Sequence, residues 1–323
     1  MEKNKFYDEA FKPFQSRNNV PDVDLSNPYE IYEYLKKNVY KQDNYCMKAA
    51  MLLYNHARGV RSRVIVCGPP GNGKTLVAEQ IRTLWPKTII VNAATITKEG
   101  WTGNNKVSSF LELVNPTDPS YIVVFDEFDK IIQPHHTSDG ENVSAYIQSE
   151  FLKLVEGQVT KLPGRDSNRF VDTSQMSFMF CGSFAAKADE IARSNSVKTM
   201  GFTAQEHIEE PYDKELTLND IVDFGLIPEI ASRSTDVINV RPLTLRDYMY
   251  LIAEHEASPV KKIEQEYGLK IEVSSKMLKK IATEAYKSRL GVRYANSRIR
   301  RMVDAELFSS FEKNGETLTT VSL

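Results

Sequence analysis

The chain has little cysteine: three in 323 residues. Cys46, Cys67 and Cys181 show no paired spacing, so neither a disulfide framework nor a four-cysteine zinc site can be built from them. Histidine is also scarce, with five residues and no H-x-x-x-H pattern, which excludes a metal array beyond a nucleotide-linked cation. An excess of one charge is missing as well. The net charge of −2 argues against nucleic acid as the main partner, because neutralising phosphates needs a basic excess or stripe. Arg293, Arg298, Arg300 and Arg301 are the local exception, and they read as a solvated or interface helix face. No apolar run approaches membrane-spanning length, and Met1-Glu2-Lys3-Asn4-Lys5 leads into no apolar segment. The expectation is a cytoplasmic protein with no membrane partner. Internal repeats and low-complexity tracts are absent too.

What is present is a phosphate-binding loop. Gly68-Pro69-Pro70-Gly71-Asn72-Gly73-Lys74-Thr75 fits G-x-x-x-x-G-K-[ST]. The apolar run Val64-Ile65-Val66-Cys67 before it reads as a buried strand. Thr75-Leu76-Val77-Ala78-Glu79-Gln80-Ile81 after it reads as a helix. Glycines let backbone N–H groups point into one concavity, and the helix N-terminus adds positive potential. Lys74 would reach the β- and γ-phosphates of ATP, and Thr75 would hold Mg²⁺. The loop through Leu76 is the expected nucleotide cradle.

A second apolar run ends in acids: Tyr121-Ile122-Val123-Val124-Phe125-Asp126-Glu127. Two adjacent acids at a strand's carboxyl end suit two jobs. Asp126 would join the Mg²⁺ shell, and Glu127 would orient and deprotonate the attacking water. A third strand, Met176 to Ser183, lies where ring ATPases place a polar sensor, and Ser183 is the candidate, with a plain turn residue as the alternative. Arg233 and Arg293 are further candidates that spacing alone also allows as surface residues.

The strand-like runs 64–67, 88–92, 121–125 and 176–181 alternate with helical pattern, which argues for a parallel sheet with helices on both faces. From about 240 the texture becomes helical. Thr244 and Asp247 form a capping signal, and helices read at 244–256, 258–267, 274–288 and 292–313. Short strands read at 269–273 and 317–323. The expected division is an irregular extension over 1–36, a large α/β unit over 37–240 and a small, mainly helical unit over 241–323.

These motifs, in this order, resemble the ClpX-type AAA+ protein-unfolding ATPases and, more distantly, HslU. The resemblance runs from about Val39 to Phe311. Val39-Tyr40-Lys41-Gln42 with Tyr54-Asn55-His56 looks like the adenine-side box. Phe125 to Ile131 looks like the second Walker segment. Phe151-Leu152-Lys153-Leu154-Val155-Glu156-Gly157 is similar to the helix after the second pore loop. Phe224-Gly225-Leu226-Ile227-Pro228-Glu229 with Arg233 looks like the arginine-finger segment. Gly291-Val292-Arg293 looks like the sensor-2 signature, usually Gly-Ala-Arg.

The resemblance implies an AAA+ fold, ATP hydrolysis with Mg²⁺, and a ring, a hexamer in the family's manner. Val39, Tyr40 and Arg293 would contact nucleotide. Arg233 would act on the neighbouring subunit's site. Gly100-Trp101-Thr102-Gly103 corresponds to the first pore loop, usually Gly-Tyr-Val-Gly, and would grip protein substrates. His135 to Glu141 would be the second pore loop. Met200-Gly201-Phe202 occupies the place of the tripeptide that docks a ClpP-type peptidase. Two departures stand out. The family's amino-terminal zinc-binding domain has no counterpart before Val39, and Lys41 replaces a glycine. A competing expectation is an AAA+ switch or loader that controls a partner complex without threading.

Overall fold

The computed structural model describes residues 21–97, 106–135, 140–161, 170–195, 210–288, 290–314 and 318–323. Gly100 to Gly103, His136 to Asp139 and Met200 to Phe202 lie outside the described residues.

The chain opens with α1 (Pro28–Asn38), which starts where Asn27 accepts from the Tyr29 N–H and proline supplies a first turn. Then come α2 (Asp43–Ala57), β1 (Arg63–Cys67), α3 (Lys74–Leu84) and β2 (Thr88–Asn92). They are followed by β3 (Ile122–Asp126), α4 (Asp129–Ile132), α5 (Val143–Val155), β4 (Val159–Lys161), β5 (Phe170–Asp172) and β6 (Ser177–Gly182). Next are α6 (Ala185–Asn195), α7 (Leu218–Phe224), α8 (Pro228–Ala231) and β7 (Asp236–Asn239). The last part holds α9 (Leu245–Ala253), α10 (Pro259–Tyr267), β8 (Lys270–Glu272), α11 (Ser275–Ser288), α12 (Val292–Asn314) and β9 (Thr320–Ser322).

Five parallel strands form one sheet in the order β2-β3-β6-β1-β7. Alternation along each strand splits the core in two. Ile65, Cys67, Val123, Phe125, Phe178 and Phe180 face one cluster. Val64, Val66, Ile122, Val124, Met179 and Cys181 face the other. Every residue of β6 is buried, as expected of a central strand covered on both faces. Phe125 is the hub of the first cluster. It stacks on Phe180 at 5.7 Å and meets Phe151 edge-on at 4.7 Å and Phe110 edge-on at 5.6 Å. Truncating such a side chain costs about 3–5 kcal/mol.

The second cluster also takes in Ile31 and Leu35, with Val23 and Leu25 packed against it. A third cluster runs from Leu243 to Val321, and Tyr40 packs against it. It is built from α9 to α12 and the parallel pair β8–β9. Thr244 and Asp247 make the expected reciprocal cap at the start of α9. None of the described helices is long and apolar enough to cross a membrane.

Two features were not anticipated from sequence. β7 adds a fifth strand, half-buried at the sheet edge beside β1. β4 and β5 form an antiparallel hairpin that leaves Val159 and Phe170 exposed.

Candidate nucleotide site

The parallel sheet delivers β1, β3 and β6 to one edge with their carboxyl ends together. The phosphate loop leaves β1 at Cys67, and α3 begins at Lys74. Gly73 caps that helix with φ +96°, a left-handed conformation that costs a β-carbon residue strain. Val39 lies against this cap, its Cγ1 3.6 Å from where a Cβ on Gly73 would sit.

The two Walker segments meet directly. The Thr75 hydroxyl donates to Asp126 Oδ2 at 2.7 Å, joining positions 51 residues apart. Lys74 Nζ donates to the carbonyls of Gly68 at 2.6 Å and Pro69 at 2.9 Å. Lys74 is buried, and burial lowers its pKa, while the nearby Cys181 and Asp126 oppose that shift. Thr75 Oγ1 and Asp126 are hard oxygen donors side by side at a helix N-terminus. That set fits Mg²⁺, which takes few protein ligands and completes its shell with water and phosphate.

Glu127 follows β3 with φ +57° and an exposed side chain. The turn is tied to β6: the Phe128 N–H donates to the Cys181 carbonyl at 2.8 Å. Asp129, buried one residue further on, accepts from the Ser183 hydroxyl at 2.8 Å and from the Phe184 N–H at 3.4 Å. So Glu127 and Ser183 sit on two segments bonded to each other. Burial pushes the Cys181 thiol up to about 12, so it stays neutral and inert at the strand end.

The helical part of the chain returns to the loop. Gly71 and Gly291 touch backbone to backbone: a Cβ on Gly71 would lie 2.9 Å from the Gly291 Cα. Both have positive φ, +78° and +64°, so neither tolerates a side chain there. Arg293, exposed in the first turn of α12, stands two residues beyond that contact. Asn72, buried within the loop, donates to the Arg241 carbonyl at 3.0 Å and accepts from the Tyr248 hydroxyl at 3.2 Å. Gln42 brackets the same Arg241, donating to its carbonyl and accepting from its N–H, each at 3.0 Å. Tyr40 stacks on Tyr250 with ring centroids 4.8 Å apart. Lys41, the residue in place of a glycine, adopts φ +55° and pairs with Asp247 at 2.5 Å.

Arg233 lies outside this cluster of contacts. It pairs with Glu156 at 2.5 Å and donates to the Glu229 carbonyl at 2.9 Å, next to Arg63. Tyr54, Asn55 and His56 are not part of the site. They end α2, which runs from the loop side toward the amino ends of the strands. There His56 Nδ1 meets the Ser177 hydroxyl at 2.8 Å, at the first residue of β6. The resemblance had grouped them with the box but could not tell which end of α2 faces the loop. Gln42 and Asp129 lie inside motifs that the sequence displayed, but their partners did not show there, and Arg241 and Tyr248 were missed because their roles depend on long-range pairing. Only Asp247 carried a local signal, its capping motif.

Residues 64–203 match the family described as ATPase family associated with various cellular activities (AAA). Among curated proteins, the chain is 29% identical over 351 aligned residues to the ATP-dependent Clp protease ATP-binding subunit ClpX of Porphyromonas gingivalis. That alignment covers 96% of this chain and 84% of the relative. It is 25% identical to ClpX of Treponema denticola, over 88% of this chain and 78% of that protein. It is 26% identical to ClpX of Borrelia duttonii, over 80% of this chain and 67% of that protein. Residues 64–203 are an AAA domain on the α/β AAA+ fold, the chain is an ATPase, and over most of its length it is similar to the ClpX proteins.

Proposed function

We propose that this protein is an ATP-driven, ring-forming unfoldase that threads polypeptide through a central pore. The observation that supports the ATP part is the Thr75–Asp126 hydrogen bond, two oxygens side by side at the phosphate loop that suit Mg²⁺. In this reading the loop N–H groups from Gly68 to Thr75 hold the phosphates, and Lys74 swings from the Gly68 and Pro69 carbonyls to the β- and γ-oxygens. Mg²⁺, held by Thr75 and Asp126, would neutralise charge on the phosphates. Glu127 orients the attacking water and accepts its proton. Ser183, its own proton given to Asp129, accepts a hydrogen bond from that water. Val39 and Tyr40 flank the base, and Arg293 reports the γ-phosphate to the helical unit.

Arg233 would stabilise the transferring phosphoryl group in the next subunit, which makes the active unit a homo-oligomer. The sequence beginning Gly100-Trp101-Thr102-Gly103 would line the pore, since a bulky ring on glycine hinges grips polypeptide by packing rather than by sequence. Met200-Gly201-Phe202 would dock a ClpP-type peptidase. The large unit would end near Val240 and the small unit begin at Arg241, so that hydrolysis turns one against the other there.

The test is capture. Glu127→Gln protein in ATP, with a photo-crosslinker at position 101, should trap polypeptide at that position. A stable ring with nothing crosslinked at 101, but a stoichiometric partner elsewhere, would replace threading with the switch reading.

A further inference from the structure

Among the described residues, four that are not glycine have clearly left-handed backbone: Lys41, Glu127, Phe184 and Tyr212. Such strain persists only where the surroundings hold it, and it gathers at functional sites. Lys41 belongs to the junction with α9. Glu127 and Phe184 belong to the two bonded segments at the ends of β3 and β6. Tyr212, with φ +72°, lies in an irregular stretch before α7, yet its hydroxyl reaches the same place. It donates to the Ser183 carbonyl at 3.0 Å.

Ser183 is therefore gripped at two points. Its hydroxyl is held by Asp129 at 2.8 Å. The Ser183 hydroxyl donates its one proton to Asp129 Oδ2, so it is left to accept from anything else in the site. Its carbonyl is held by Tyr212. Phe184 clamps the next residue: its ring is fully buried, meets Phe224 edge-on at 5.3 Å, and lies 2.7 Å from where a Cβ on Gly182 would be. The Asp129 bond fixes where the proton goes. The Tyr212 bond fixes the peptide plane that carries the side chain.

We propose that Tyr212 is a positioning residue for ATP hydrolysis. Its phenol locks the Ser183–Phe184 peptide so that the Ser183 lone pairs face the water that Glu127 activates. The inference rests on the reading of Ser183 as the polar sensor. Tyr212 itself touches no reacting atom, so its loss acts on turnover and leaves ATP binding alone.

The experiment is steady-state ATPase kinetics of the full chain carrying Tyr212→Phe, Ser183→Ala or both, with thermal melts alongside. Tyr212→Phe keeps the ring and removes the neutral hydrogen bond to the Ser183 carbonyl. The expected result is a kcat lowered by about fivefold with KM for ATP unchanged. In the Ser183→Ala background the same substitution should lower kcat no further. Four results would overturn the proposal. Normal kcat in Tyr212→Phe with a slow Ser183→Ala enzyme would remove Tyr212 and leave the sensor reading intact. Equal losses in both backgrounds would mean that Tyr212 does not act through Ser183. A raised KM with unchanged kcat would make it a binding residue. A fully active Ser183→Ala enzyme would remove the sensor reading and the proposal together.

Discussion

Tyr248 and Asn72 are 176 positions apart in the chain, yet the phenol of one donates to the amide oxygen of the other at 3.2 Å. Both are buried, and the Asn72 amide nitrogen donates in turn to the Arg241 carbonyl at 3.0 Å. The phosphate loop is thereby bonded to the start of the helical part and to the segment that leads into it. Anything that moves the loop strains this amide.

Removing the phenol should cost stability through the partner it abandons. Tyr248→Phe leaves the Asn72 carbonyl oxygen buried without its donor, worth about 1–3 kcal/mol. Asn72→Ala should cost a similar amount. Because both remove the shared Tyr248–Asn72 bond, the double variant should lose at least about 0.5 kcal/mol less than the sum. Denaturant melts of all four proteins measure this. Strict additivity would mean that the bond does not operate in solution.

Glu127→Gln should bind ATP and fail to turn it over. An acid placed as general base contributes about 10²–10⁴-fold to rate, so kcat should fall by that factor while KM holds. The amide keeps the shape of the side chain and loses only the basic oxygen. Turnover at the normal rate would take Glu127 out of the chemistry.

Much of the fold was legible because its central strands are apolar and bounded by turns. Val64 to Cys67, Ile122 to Phe125 and Phe178 to Cys181 each declare a buried strand, and Gly-Lys-Thr and Asp-Glu sit at their carboxyl ends. β7 was not legible, since Asp236-Val237-Ile238-Asn239 is short and half-buried at an edge, where packing on β1 decides what propensity cannot. The Walker residues of the site follow from local pattern. The joins do not. Nothing around Gly71 or Gly291 says that their backbones touch, and nothing around Tyr212 says that it reaches Ser183. Such pairs are set by tertiary packing, across 29 positions for Tyr212 and Ser183 and across 220 for Gly71 and Gly291. The same limit misplaced His56, which the family resemblance grouped with the adenine box but which closes the far end of α2.

That far end has its own pH response. Burial, and then the Arg61 guanidinium, drop the His56 pKa from 6.5 to about 4. Arg61 donates to Nδ1 at 3.1 Å, so the proton sits on Nε2, which meets the Ser120 hydroxyl at 3.2 Å. The folded state thus prefers neutral His56. Between pH 6.5 and 4 the unfolded chain takes up the proton first, so stability falls as pH drops through that window. Its full extent is about 3 kcal/mol. His56→Gln should flatten the dependence of melting temperature on pH there. An unchanged slope would assign the acid sensitivity to carboxylates instead.

Arg233 gives the sharpest test of assembly. Within one chain it is held by Glu156 and the Glu229 carbonyl, on contacts separate from those joining Thr75, Asp126 and Asn72. If it serves a neighbour, Arg233→Ala should bind ATP normally and hydrolyse it poorly. Glu127→Gln should be equally inactive for a different reason. Mixing the two restores complete sites wherever an Arg233→Ala subunit, with its Glu127 intact, receives Arg233 from a Glu127→Gln neighbour. In a ring of head-to-tail contacts assembled at random from equal parts, about a quarter of sites become complete. ATPase activity should therefore reappear on mixing and scale with the product of the two fractions. A mixture as inactive as its parts would confine Arg233 to its own subunit, bonded to Glu156.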